Sequence, residues 1–316
     1  MRKLLIVIGL LVLLPLLSGC DTLPSEKLPV TPGHLVMERM MLPAQFKKSN
    51  GSYYMANLDA LVIRPDDNQA HPLAVINHGF EPINYGAVSV DEFQERAMEF
   101  ARRGWVTVVF TRRGYGRSGG WFIEGARDLG KFSLIRAGET PAEDICEAIR
   151  LMAKKSYVDP SRVISVGISG GGYASIALTA NPPPGLVAAI NFAGGMGIAD
   201  AASVPRFNES LTKAVATFGK TSRIPMLWIY AENDRTASPA LARQLFSAFV
   251  GAGANAEFIA APNFASYKND GHYLFRYGIP VWTPYVDTFL QKQGLKLMDG
   301  LISVSNVRTV QENNKQ

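Results

Sequence analysis

Cysteine is almost missing from this chain: only Cys20 and Cys146 occur in 316 residues. One of them sits at the end of an apolar leader, so no disulfide framework is expected. Histidine is nearly as scarce, with four residues. No Cys-x-x-Cys, His-x-x-x-His or similar cluster has the spacing of metal ligands, and no metal is expected. The formal charge is a mild +5. There is no basic run and no interleaving of aromatic with basic residues, which removes the footprint of a nucleic-acid binder. Internal repeats are absent too.

What the chain does have begins at its start. Arg2 and Lys3 precede a short apolar run, and small residues follow it. This reads as a secretory signal peptide, too short and wrongly flanked for a transmembrane helix. Its end, Leu17-Ser18-Gly19-Cys20, resembles the bacterial lipobox. That resemblance implies cleavage before Cys20, a lipid anchor with acyl chains such as palmitate on the cysteine, and a protein held at the membrane of the cell envelope, on its periplasmic face. Asp21 resembles an inner-membrane retention signal. A plain signal peptide with an incidental cysteine, or an uncleaved anchor, is the alternative. Cys146 lies in a helical pattern and reads as core. The expected organisation is a signal peptide over 1–19 and a proline-bearing tether over 20–33. One large domain follows over 34–296, with insertions near 121–138 and 196–223, and then a polar, mobile tail over 297–316.

Within the domain, apolar segments of strand length alternate with helical patterns. Leu35 to Pro43 and Tyr53 to Arg64 read as an antiparallel hairpin at a sheet edge. Leu73–Ile76, Trp105–Phe110, Val163–Val166, Leu186–Asn191, Pro225–Tyr230 and Ala256–Ala260 read as buried strands. Helices are expected over Val88–Arg103, Thr140–Lys155, Ser238–Phe249 and Thr283–Gln293. The second is to be capped by Thr140 and Glu143, with Pro141 in its first turn. Such alternation argues for an α/β class protein with a mostly parallel sheet covered on both faces.

The densest signal is Gly167-Ile168-Ser169-Gly170-Gly171 between a strand and a helix rich in small residues. A strand that turns at once into a helix strains the central serine, and the flanking glycines let the turn close. Ser169 Oγ is then exposed at the carboxyl edge of the sheet. The Gly170 N–H, opening the helix, faces any oxyanion formed there. A serine needs a base, and the base needs a carboxylate to orient it. His272 follows the last strand, at the edge where a base can reach. Asp234 lies beyond the preceding strand; Glu232 and Asp270 are the other carboxylates near that edge. Asn77-His78-Gly79-Phe80 ends an earlier strand, so the Phe80 N–H supplies a second oxyanion donor. His78 reads as a brace for that loop and Tyr85 as a packed tyrosine. Arg112, Arg113 and Arg117 either brace the glycine-rich loop that holds them or line a pocket for an acidic substrate.

With Asn77-His78-Gly79, Arg113-Gly114-Tyr115-Gly116-Arg117-Ser118, the Ser169 turn, Ala231 to Asp234 and Gly271-His272 in place, the chain resembles the α/β-hydrolases over about residues 50–295. The similarity is greatest to their dienelactone-hydrolase-like, serine esterase and peptidase branches. The resemblance implies an α/β-hydrolase fold. It also implies Ser169 as nucleophile, Asp234 as acid and His272 as base, with no cofactor and a small-molecule ester as substrate. Many relatives carry aspartate where Thr111 stands and glycine where Ala231 stands. Dienelactone hydrolases proper use a cysteine nucleophile, so the serine favours ordinary carboxylic esters. A serine peptidase of the prolyl-oligopeptidase type, or a non-catalytic envelope lipoprotein that keeps the fold, are the other readings.

Overall fold

The structure is a computed structural model, and it describes residues 34–48, 50–122, 124, 133–196, 204–295, 301–304 and 307–311. The leader, Cys20, Asp21 and the tether lie outside the described residues, as do 197–203 and most of 123–132 within the two insertions.

Among the described residues, nine strands form one sheet: β1 (Leu35–Lys47), β2 (Tyr53–Pro65), β3 (His71–Asn77), β4 (Val106–Phe110), β5 (Val158–Ile168), β6 (Leu186–Phe192), β7 (Met226–Ala231), β8 (Ala256–Ala261) and β9 (Val307–Gln311). Their spatial order is β8-β7-β6-β5-β3-β4-β2-β1-β9. From β4 through β8 every pairing is parallel. β2 joins this block antiparallel to β4, and β1 is antiparallel to β2. Among the described residues, seven helices connect and cover the strands: α1 (Gln94–Ala101), α2 (Leu134–Met152), α3 (Gly170–Ala180), α4 (Val204–Gly219), α5 (Pro239–Gly251), α6 (Leu274–Tyr277) and α7 (Ile279–Lys292).

Side-chain alternation along the strands divides the interior into two cores. Leu73, Val75, Trp228 and Tyr230 face the layer that holds α2, α3, α4 and α5. Ala74, Ile76, Leu227 and Ile229 face the opposite layer, where Phe100 of α1 and Trp282, Val286 and Phe289 of α7 pack. Central strands buried on both faces must read as continuous apolar runs, which is how they read in the sequence.

Five expectations need correction. The β1–β2 hairpin is not the sheet edge: β9 pairs parallel with β1 from Leu35↔Val307 to Arg39↔Gln311, and Arg308 reaches Asp66 at 3.0 Å. The 297–316 segment is therefore not simply a polar tail. Helix α2 begins at Leu134, not at Thr140, and Pro141 lies inside it. Gly138, the last residue of the expected insertion, lies inside this helix as a contact glycine. A Cβ there would sit 3.0 Å from Ala177 and Phe218 and 3.1 Å from Tyr173. The expected helix over Val88–Arg103 is split. A 3₁₀ turn, Val90–Phe93, is capped by the Ser89 hydroxyl, which accepts from Asp91 N–H, and only then does α1 begin. The last helix starts at Ile279, just after Gly278, and carries Pro284 within it.

Candidate active site

Ser169 is the hinge between β5 and α3. Its backbone stands at φ 54°, ψ −122°, a conformation that costs an L-residue about 1–3 kcal/mol. Three bonds hold it there: Ser169 N–H donates to Phe192 O at 2.9 Å, and Ser169 O accepts from Tyr173 N–H at 2.9 Å and from Gly195 N–H at 3.3 Å. The flanking glycines are compulsory. A Cβ on Gly167 would strike the carbonyl of Gly171, and one on Gly171 would strike the carbonyls of Asn77 and His78. The turn thus presses directly against the end of β3.

That contact assembles the rest. A Cβ on Gly79 would lie 3.4 Å from Ser169 Cβ, and one on Gly170 would lie 2.8 Å from Phe80 N. The Phe80 and Gly170 amides are therefore neighbours beside Ser169, at the amino end of α3. His78 is buried, and both of its ring nitrogens are engaged. Nδ1 donates to Gly79 O at 2.7 Å and Nε2 accepts from Arg112 N–H at 3.1 Å, which fixes the neutral tautomer. Burial first, and then the Arg112 charge, hold its pKa well below the ordinary histidine value.

The other half of the site comes from the loops after β7 and β8. Asp234 is buried, and its Oδ1 accepts from Thr236 N–H at 2.8 Å and Ala237 N–H at 2.7 Å. Its Oδ2 faces His272 Nδ1 at 3.1 Å. Of the three carboxylates near this edge, Asp234 is the one on the imidazole. Glu232 points to the surface and pairs with Arg243. Asp270 Oδ1 accepts from His272 N–H at 3.0 Å and Arg235 N–H at 3.1 Å, so it staples the two loops together. Gly271 lies on the Asp234 turn so closely that a Cβ would meet Asp234 N at 2.8 Å.

Ser169 and His272 line one cavity of about 340 Å³, with Phe80, Ile168, Tyr273 and Phe275 among its walls. Among the described residues no hydrogen bond joins Ser169 Oγ to the ring. None of Arg112, Arg113 and Arg117 lines this cavity. Arg112 and Arg113 are buried braces, the latter bonded to Asp144 at 2.5 Å and 2.8 Å. Tyr85 stacks on Phe122 at 4.3 Å. Cys146 is half-buried on α2, and burial pushes its thiol up to about 11. The sequence reading missed Glu124, which grips Arg112, and Asn233, which bonds both the N–H and the carbonyl of Phe264. Neither stands at a spacing that gives it away.

This fold, with these loops at the carboxyl edge of the sheet, is that of the α/β-hydrolases. The chain belongs to the X-Pro dipeptidyl-peptidase (S15) family, whose profile matches residues 55–214. It is accordingly a hydrolase of the esterase and peptidase type. The matched stretch contains Ser169 and the His78–Phe80 loop and ends before Asp234 and His272. Among solved structures, a dienelactone hydrolase from Klebsiella pneumoniae superposes with a TM-score of 0.55 at 15% identity, over 83% of this chain and 98% of that one. The propionate-bound esterase Est2 of Thermogutta terrifontis gives 0.53 at 18% identity, over 85% and 97%. An acylaminoacyl peptidase of Pyrococcus horikoshii gives 0.57 at 17% identity, over 84% of this chain and 43% of that one. No curated protein matches the sequence.

Proposed function

We propose that the protein is a serine hydrolase that cleaves carboxylic esters through an acyl-enzyme on Ser169. His272 takes the Ser169 proton as the hydroxyl attacks and returns it to the leaving alcohol. Asp234 holds the imidazole by Nδ1 and stabilises its charge. The N–H groups of Phe80 and Gly170 bind the tetrahedral oxyanion. Water, activated by the same histidine, then releases the acid, and no cofactor takes part. One observation carries the reading: a serine in a strained turn shares a cavity with a histidine whose far nitrogen rests on a buried aspartate. A missing Ser169–His272 bond is ordinary before substrate arrives, since catalytic hydrogen bonds tighten in the complex.

Peptide cleavage is the second reading, and the S15 profile favours it. Turnover of p-nitrophenyl acetate and butyrate beside an X-Pro p-nitroanilide separates the two. Ester turnover exceeding the anilide by about a hundredfold or more in kcat/KM is expected, a gap of about 2.7 kcal/mol or more. The reverse order assigns the protein to peptides.

The same proposal places the enzyme at the bacterial envelope, anchored through a lipid on Cys20. Metabolic labelling with an alkyne fatty acid should mark the wild-type chain and shift it to the membrane fraction. Cys20→Ser should lose both the label and the shift; a labelled Cys20→Ser chain contradicts the anchor.

A further inference from the structure

We propose that Arg112 is the positioning residue of the oxyanion site, acting through the carbonyls of His78 and Gly79. This rests on the assignment of the Phe80 N–H as an oxyanion donor. A glycine at position 79 has a cost as well as a use: it lets the loop approach Ser169, but it also lets the 79–80 peptide rotate. In a planar peptide the C=O and the N–H point in opposite directions. Whatever pins Gly79 O therefore aims the Phe80 N–H. Two donors pin it, His78 Nδ1 at 2.7 Å and Arg112 Nη2 at 3.1 Å. Arg112 Nη1 also holds His78 O at 2.6 Å, and its backbone N–H fixes the His78 ring.

Arg112 itself has no freedom. Its side chain is fully buried, and Glu124 clamps it with Oε1 on Nε at 2.5 Å and Oε2 on Nη2 at 3.0 Å. Tyr115 completes the set. Its hydroxyl donates to Glu124 Oε2 at 2.9 Å, and its ring meets the His78 ring edge-on at 4.5 Å. No atom of Arg112 lines the cavity. A fully buried guanidinium whose donors go to one carboxylate and two loop carbonyls is placed for aiming a peptide, not for meeting substrate. Lysine keeps the charge but cannot bond two carbonyls and a carboxylate in one plane.

The test uses the full chain in detergent, with Arg112→Lys and Glu124→Gln, p-nitrophenyl butyrate as substrate and an alkyl trifluoromethyl ketone as transition-state mimic. Arg112→Lys should lower kcat about a hundredfold, as loss of one oxyanion donor does, with KM within about threefold of wild type. The ketone inhibition constant should rise in parallel. Glu124→Gln should show the same pattern at about tenfold, and it carries the test by itself if Arg112→Lys gives no cooperative thermal melt. A folded variant with wild-type kcat overturns the inference, as does a fall in kcat without weaker ketone binding. If instead the wild type neither turns over ester nor reacts with a fluorophosphonate, the failure lies with the catalytic reading itself.

Discussion

At the scale of single residues, His78 separates what supports a site from what acts in it. It is one of the few histidines in the chain and stands at the pocket, yet both of its nitrogens are spent on backbone partners. A second proton on Nε2 would meet the Arg112 N–H head-on. The folded protein therefore keeps His78 neutral, while the unfolded chain protonates it below its ordinary value of 6.5. With the folded pKa depressed, the unfolded state binds more protons below that value. The stability this burial leaves intact above pH 6.5 is lost as pH falls, by up to about 1.4 kcal/mol per pH unit. In urea melts between pH 7.5 and 5, the slope of stability against pH should be smaller in His78→Asn than in the wild type by about one proton. An unchanged slope in the variant contradicts the neutral brace.

Among the elements, the apolar strands were legible and the polar or interrupted segments were not. Buried parallel strands such as Val163–Val166 and Met226–Ala231 advertise themselves because both of their faces are covered. The Ser169 turn was legible for a related reason: steric demands at Gly167 and Gly171 leave glycine as the residue that fits. Asp234 could not be separated from Glu232 and Asp270 by position alone, because what singles it out is Thr236 and Ala237 amides folding back onto it. The first turns of α2 were not legible, since Gly138, the last residue of the expected insertion, sits inside the helix and admits its neighbours Tyr173 and Ala177 of α3. β9 misled because Arg308, Thr309 and Gln311 make a strand look like a solvated tail. It pairs with β1, far across the sheet from β5 and β7. Ending the chain at Val304 should therefore cost about 1–2 kcal/mol in a denaturant melt and leave kcat/KM unchanged. A collapse of activity in a folded truncation would show that this edge matters to the site.

For the whole molecule, division of labour follows the sheet. Strands β3, β5, β6, β7 and β8 are parallel, so their carboxyl ends share one edge. Ser169, the Phe80 amide, Asp234 and His272 all come from loops at that edge, although more than a hundred residues separate the serine from the histidine in the chain. A fold of this kind hosts many reactions, so the substrate follows from the walls of the cavity and not from the sheet. The central claim is that Ser169 is the nucleophile, and fluorophosphonate labelling with peptide mapping tests it most directly. The account predicts one adduct, on Ser169, in the wild-type chain. In Ser169→Ala it predicts none, together with a loss of ester turnover by several orders of magnitude. An adduct on any other residue, or ester turnover that survives Ser169→Ala, would contradict it.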